Sequence, residues 1–379
     1  MRTLGVGLIG SGYIGHTIAL AYRAVSSVFP REIRPALVAL ADVSDPAART
    51  AADRYGFARA TTDWRTLVAD PAVEIVAIAT PNHLHAEMAR VALAAGKHVH
   101  CEKPMAPTLA DAESMARAAE GAKGRTIVGY NYLHNPILAA ARNIVSSGEI
   151  GAPIHFRGTH NEDYMADSTV PFSWRCERAL AGAGALGDIG AHIVSLAHML
   201  MGDIAAVCGD MSTVVASRPL PGGGARRVEN EDQAQFLVRF ASGATGTIEA
   251  SRVAQGQKMG LGFEITGSRG ALIFDQTRLN ELKLYKADQS PGRQGYTTVL
   301  AGPDHPGYAA FCPSPGHQIG FNDLKVIEVA RFLEAIATGK PAYPHFAAAL
   351  TFERVLDAVQ RSAAQRQWVS LGAEVPIAP

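Results

Sequence analysis

The chain carries no surplus of either charge: 35 Lys and Arg stand against 35 Asp and Glu. A balanced chain lacks the field that holds nucleic acid or an anionic lipid surface, so neither is expected as a partner. It has no apolar run long enough to span a bilayer. Leu4–Ile9 is too short for the apolar part of a signal peptide, and a glycine turn follows it at once, so a cytoplasmic protein is expected. Cysteine is scarce. Cys101, Cys176, Cys208 and Cys312 show no CxxC spacing, which leaves no disulfide framework or cysteine-based metal set to expect. No stretch is low in complexity, and Pro219–Ala225 reads as a loop. What remains is a 379-residue chain, 47% hydrophobic, long enough for two domains with a core each.

Thr3–Ile9 reads as a strand and runs into Gly10-Ser11-Gly12-Tyr13-Ile14-Gly15, then a helix over Ile14–Val25. This is GxGxxG between strand and helix: Gly10 for the tight turn, Gly12 for approach to a pyrophosphate, Gly15 for close packing. The helix N-terminus adds partial positive charge. A second strand, Ala36–Ala41, ends in Asp42, where a carboxylate accepts ribose hydroxyls and repels a 2′-phosphate. NAD is therefore expected over NADP. Asp42 also suits the N-cap of a helix over Pro46–Tyr55. Ser26–Arg34 reads as an inserted loop. Val73–Ala79 is a buried strand followed by Thr80-Pro81-Asn82-His83-Leu84-His85, where a nicotinamide would pass. Thr80, Asn82 and His85 are candidate cofactor contacts, although turn chemistry explains His83 and His85 equally well. A helix, Ala86–Ala95, is closed by Gly96. A strand from Lys97 then leads to His100-Cys101-Glu102-Lys103-Pro104, which aims Lys103 into the crevice at the strand's carboxyl end; alone, it also fits an ordinary loop lysine. A helix over Leu109–Ala122 and a strand over Thr126–Tyr130 complete a doubly wound parallel sheet over residues 1–130.

Residues 131–379 change pattern and predict an α+β domain. A helix over Asn135–Ser147 precedes a strand, Ile154–His160, and a polar loop, Asn161–Thr169. A glycine-rich approach leads to Asp188 and His192, at i and i+4, expected on one face of a helix running to about Met201. A carboxylate and an imidazole so placed suit acid–base work. They also fit an N-cap with a partly buried histidine. No third ligand is positioned for a metal, and none is expected. Six β-type runs follow: Ala206–Val215, Asp232–Phe240, Thr245–Val253, Leu261–Thr266, Ala271–Phe274 and Glu281–Tyr285. They predict a large, mostly antiparallel open sheet. Helices over Gln318–Thr338 and Phe346–Ala364 close the chain. A sheet covered on one face predicts a homo-oligomer, a tetramer before a dimer.

Gly10–Gly15, Glu102-Lys103-Pro104 and Gly187-Asp188-Ile189-Gly190-Ala191-His192, in that order, resemble the glucose–fructose oxidoreductase/inositol dehydrogenase (Gfo/Idh/MocA) family over essentially the whole chain. Asn131-Tyr132, Gly158-Thr159-His160, Ser173-Trp174-Arg175 and Ala183–Asp188 look most like its inositol dehydrogenases and levoglucosan-type sugar dehydrogenases. Gly187 stands where relatives commonly have an aliphatic residue, and Ser195 where they often have an acid. The resemblance implies catalytic roles for Lys103, Asp188 and His192. It implies cofactor contacts at Gly10, Ser11, Gly12, Tyr13, Ile14, Asp42, Glu102, Lys103, Asn131, Trp174 and Arg175. Tyr132, His160, Asp163, Arg178 and His317 join the catalytic three as candidate partners of substrate hydroxyls. The expected reaction is NAD-dependent oxidation of a secondary hydroxyl of a cyclitol or pyranose to the ketone: scyllo- or myo-inositol, or a glucose-type sugar including L-glucose or levoglucosan. The alternatives are a glycoside hydrolase using transient oxidation and a non-catalytic NAD-binding regulator.

Overall fold

The computed structural model describes residues 2–30 and 32–372. The chain forms two compact units, Met1–His134 with Gly320–Thr351, and Asn135–Ile319 with Phe352–Pro379.

In the first unit six strands run parallel: β1 (Arg2–Ile9), β2 (Ile33–Ala41), β3 (Arg59–Thr61), β4 (Ile75–Ile78), β5 (His98–Cys101) and β6 (Thr126–Val128). Their order is β3-β2-β1-β4-β5-β6. Strands covered on both faces must be apolar throughout, which is why Ile75–Ile78 and the last six residues of β1 are buried without alternation. The connecting helices are α1 (Tyr13–Val28), α2 (Asp45–Tyr55), α3 (Trp64–Ala69), α4 (His85–Ala94) and α5 (Leu109–Glu120). Strand order reverses between β1 and β4, and the crevice at that point, outside the strands' carboxyl ends, is where such sheets bind ligands. The inserted loop expected over Ser26–Arg34 is corrected here. α1 continues to Val28 and β2 starts at Ile33, so a short connection remains, with Arg31 outside the described residues. β3 and α3 have no counterpart in the sequence reading, because three and six residues are too few for a periodicity to show.

The second unit is built on a nine-stranded sheet. Its strands are β7 (Pro153–Asn161), β8 (Ile204–Ser212), β11 (Gln233–Phe240), β12 (Thr245–Ser251), β13 (Gly260–Gly267), β14 (Gly270–Asp275), β15 (Glu281–Lys286), β16 (Thr297–Leu300) and β17 (Val369–Ser370). Strands β9 (Ser217–Pro219) and β10 (Ala225–Arg227) form a separate hairpin. The order is β16-β15-β14-β13-β7-β12-β11-β8-β17, and only the β7–β12 pair is parallel. Period-two alternation puts Ala234, Phe236, Val238 and Phe240 on the buried face of β11. That face carries an aromatic row in which Phe156 meets Phe240 and Phe263, and Phe263 meets Phe274, with ring centroids 5.5–6.1 Å apart. The other face is largely polar, with Arg157 paired to Glu264 at 3.0 Å and Asn161 to Glu249 at 2.8 Å. Helices α6 (Pro136–Ser146), α7 (Arg178–Ala181) and α8 (Ala191–Met201) belong to this unit. The chain is thus α/β, a Rossmann-type parallel sheet with a larger, mostly antiparallel one.

Among the described residues one helical stretch, Arg178–Met201, is long and apolar enough to cross a membrane, contrary to the sequence expectation, and its most apolar 18-residue window is 83% buried inside the protein.

Candidate active site

The turn after β1 shows which glycines answer to the protein and which do not. Gly10 has φ +96°, and a Cβ there would lie 2.5 Å from the Ala79 carbonyl oxygen. A Cβ on Gly15 would lie 2.1 Å from the Gly10 carbonyl oxygen. Gly12 differs, since a Cβ there would meet nothing within 4 Å. The space left there, at the N-terminus of α1, would fit a pyrophosphate. Asp42, just after β2, accepts from the Ser11 amide at 2.8 Å and from the Ser11 hydroxyl. The N-cap of α2 is Ser44 instead, which accepts from the Ala47 amide.

Around the same crevice, Tyr13 is 69% exposed and stacks on Phe321, which also meets Tyr132 edge-on. Asn131 is buried with its amide nitrogen lacking a partner among the described residues, as a site awaiting a ligand acceptor would leave it. His85 is fully buried and spans two loops. Nε2 lies 2.9 Å from the Thr80 carbonyl oxygen and Nδ1 lies 3.1 Å from that of Pro104. It therefore ties the turn after β4 to the turn after β5. Burial holds its pKa below the ordinary histidine value. Lys103 stands two residues past the end of β5, in a cis peptide bond with Pro104, and its amide donates to Glu102 Oε2 at 3.3 Å.

In the second unit the expected plain helix over Asp188 and His192 is corrected. Leu186–Gly190 form a π-helical turn, and α8 begins only at Ala191. The simple i, i+4 face therefore does not describe this pair, and a π turn inside a helix commonly marks a functional position. Gly184 permits the turn, because a Cβ there would lie 1.9 Å from the Glu231 carbonyl oxygen. The Glu231 carboxylate accepts from the Leu186 amide at 2.9 Å. Asp188 Oδ2 accepts from the Tyr164 hydroxyl at 2.6 Å and lies 3.7 Å from Arg175 Nε. Burial, then Asp188, pushes the Tyr164 phenol well above its ordinary pKa, so it stays a donor. The Arg175 guanidinium lies over the Trp174 ring at 4.6 Å. His192 is buried with its ring 5.6 Å from that of His160.

The remaining candidates are engaged within the unit. His160 Nδ1 lies 2.8 Å from the Ile189 carbonyl oxygen and Nε2 lies 3.1 Å from Glu162. Asp163 accepts from Lys258 Nζ at 2.6 Å, which lowers its pKa. Arg178 donates to the Glu229 carbonyl and to Gln360. His317 is exposed, with Nδ1 close to Ser314.

Residues 4–130 match the oxidoreductase family with an NAD-binding Rossmann fold, and residues 138–273 match the GFO/IDH/MocA C-terminal domain. Levoglucosan dehydrogenase of Pseudarthrobacter phenanthrenivorans is 39% identical over 98% of this chain and 99% of its own. The solved structure of levoglucosan dehydrogenase with NADH and levoglucosan covers 99% of this chain and 100% of its own at a TM-score of 0.95 and 39% identity. An NAD-binding oxidoreductase from Klebsiella pneumoniae is 43% identical, covering 98% and 99% of the two chains, at a TM-score of 0.93. This chain belongs to the Gfo/Idh/MocA family. It is an oxidoreductase, and its cofactor is NAD.

Against that family background, Gly187 and Ser195 take ordinary places. A Cβ on Gly187 would lie 3.3 Å from that of Ala183, and the Ser195 hydroxyl donates to the His192 carbonyl at 2.7 Å. Sequence reasoning missed Tyr164, although an aromatic inside an otherwise polar loop was the available signal. It also missed the buried Arg252. This guanidinium pairs with Asp232 at 2.9 Å, donates to Asn230 at 3.0 Å and to the Arg175 carbonyl at 3.2 Å. Arg252 thereby holds the backbone of the residue whose side chain approaches Asp188.

Proposed function

We propose that this oxidoreductase oxidises a secondary ring hydroxyl of a pyranose, an anhydrosugar such as levoglucosan, or a cyclitol such as scyllo- or myo-inositol, giving the ketone. NAD+, when bound, accepts the hydride. His192 takes the hydroxyl proton, as a buried imidazole can do in general base catalysis. Asp188 accepts a substrate hydroxyl and fixes the ring's orientation. Lys103 stabilises negative charge on the oxygen as the proton leaves. The observation that carries this reading is Asp188 itself: a carboxylate on a π turn, held by a phenol and a guanidinium, at the approach to a buried histidine. Such an acceptor suits a polyol and gives a hydrophobic substrate nothing. The full-length likeness to a sugar dehydrogenase supports the substrate class, and levoglucosan is the first compound to try. The same proposal includes a cytoplasmic homo-oligomer, a tetramer before a dimer, whose mass light scattering would read.

The test is NADH absorbance with purified protein, NAD+ and a panel of levoglucosan, D- and L-glucose, galactose, xylose and the inositols. Sustained NADH formation with one or two members is expected. Release of an aglycone from glycosides without net NADH would replace the dehydrogenase with a hydrolase.

A further inference from the structure

The first unit buries a line of charged groups that the reaction above does not use. Glu102 is 5% exposed, and Lys325 and Glu328, on α9 (Phe321–Thr338), are 1% and 0% exposed. Lys325 Nζ lies 2.5 Å from Glu102 Oε1 and 2.9 Å from Glu328 Oε1. Glu328 Oε1 also lies 2.9 Å from His100 Nε2, and His100 Nδ1 lies 3.3 Å from the Tyr22 hydroxyl. The second oxygen of Glu102 accepts the Lys103 amide. One ammonium thus connects α9 to the residue that precedes Lys103. The chain makes room for this carboxylate, since a Cβ on Gly129 would lie 2.5 Å from Glu102 Oε1.

Apolar side chains of similar volume commonly match or exceed a buried ion cluster in stability. Stability alone is therefore a weak reason for this one. Its geometry suggests another. The donor atoms of His100, Glu102 and Glu328 lie within 4.8 Å of one another, a spacing that suits a metal ion. The Lys325 ammonium is the cation among them. We propose that Lys325 is a positioning residue: its ammonium acts as a built-in cation that fixes Glu102, and through Glu102 the backbone of Lys103. The inference rests on the role given to Lys103 above.

The groups facing the cluster are Tyr22 from α1, His100 on β5, His134 from the turn after β6, and Glu328 and Arg331 on α9. His134 is pushed down to about 4, mainly by burial, and so is neutral. Burial alone would lower the pKa of Lys325, but Glu102 and Glu328 outweigh it and raise it. The Lys325 ammonium and the Glu328 carboxylate therefore keep their charges across neutral pH. Without the ammonium, two buried carboxylates face each other, and one takes up a proton in that range.

The experiment compares wild type, Lys325→Met and the double variant Lys325→Met/Glu328→Gln. It reads kcat, KM, thermal stability and the pH profile, with a crystal structure of each variant. In Lys325→Met, kcat falls at least tenfold, KM moves less, and the profile gains a limb near neutrality. The double variant recovers thermal stability and loses the new limb, yet kcat stays low because Glu102 is still unheld. In the crystals, Glu102 turns away from the Lys103 amide and the Lys103 backbone shifts. An unchanged kcat in Lys325→Met, or kcat returning together with stability in the double variant, overturns the proposal. If wild type forms no NADH from any sugar, the proposed reaction fails by itself. The crystals then decide this inference, and a Lys103 backbone unmoved in both variants overturns it.

Discussion

In the first unit, Asp42 directly follows β2, and Thr80 and Lys103 stand two residues past the ends of β4 and β5, so the parallel ladder carries them to one crevice. In the second, Asp188 sits on a π turn and depends on side chains from distant stretches: Tyr164, Arg175 and Glu231, with Arg252 behind Arg175. One arrangement is set by strand order and the other by long-range polar ties. The difference teaches where mutations separate function from stability. A side chain projecting from a strand end can be removed with the scaffold intact. A tie that also holds the scaffold cannot.

Removing Lys103 gives the largest effect. Lys103→Met should lower kcat/KM by about 10²–10⁴-fold while unfolding free energy moves by less than about 0.5 kcal/mol. Steady-state NADH formation and urea denaturation read the two quantities. Arg252→Leu should do the reverse. It strands Asp232, which is fully buried and also accepts the Val214 and Val215 amides. The expected loss is about 3–5 kcal/mol of stability, seen as a lower denaturation midpoint. A Lys103 variant that unfolds, or an Arg252 variant that melts normally, would break the comparison.

Acid should separate the units as well. His134, in the first, has a folded-state pKa of about 4, below its ordinary value, and His85 is lowered in the same direction. The unfolded chain then binds the proton first. The stability from His134 is complete above about pH 6.5 and is lost as pH falls toward 4, by about 3 kcal/mol in all. Glu231, in the second unit, has the opposite sign: burial raises its pKa, so acidification favours its folded state. Melting temperature against pH checks this, and His134→Gln should flatten the acid limb. An unaltered limb in that variant assigns the loss to other groups.

Tyr164→Phe is the smallest change and the sharpest. It removes a hydroxyl that donates to a carboxylate, an interaction of about 1.5–3 kcal/mol. A fall of about 10- to 150-fold in kcat/KM is expected, with the acidic limb of its pH profile moved upward. Full activity in that variant would make Asp188 independent of its phenol.

The first unit was the more legible in sequence because its signals are local. A glycine turn between strand and helix, an acid just after β2 and a lysine just past β5 each need only a few adjacent residues. Most strands of the second sheet were legible from alternation and glycine turns. The π turn was not, since Leu186–Gly190 carry no residue type that separates it from an α-helix. The ties were not legible either, because Glu231 to Leu186 and Arg252 to Arg175 are long-range contacts. In α9, Lys325 and Glu328 interrupt the apolar run of Leu324, Val326, Ile327 and Val329. Two charges among residues that must be buried were the signal that this helix does more than close the fold.

The most direct test of the central claim follows the hydride. Levoglucosan, or whichever panel member responds best, is deuterated at its ring carbons and given to the enzyme with NAD+, and the reduced cofactor is weighed by mass spectrometry. The account predicts NADH carrying one deuterium, formed in equal amount with a ketone. Unlabelled cofactor, or an altered sugar with no reduced cofactor at all, would contradict it.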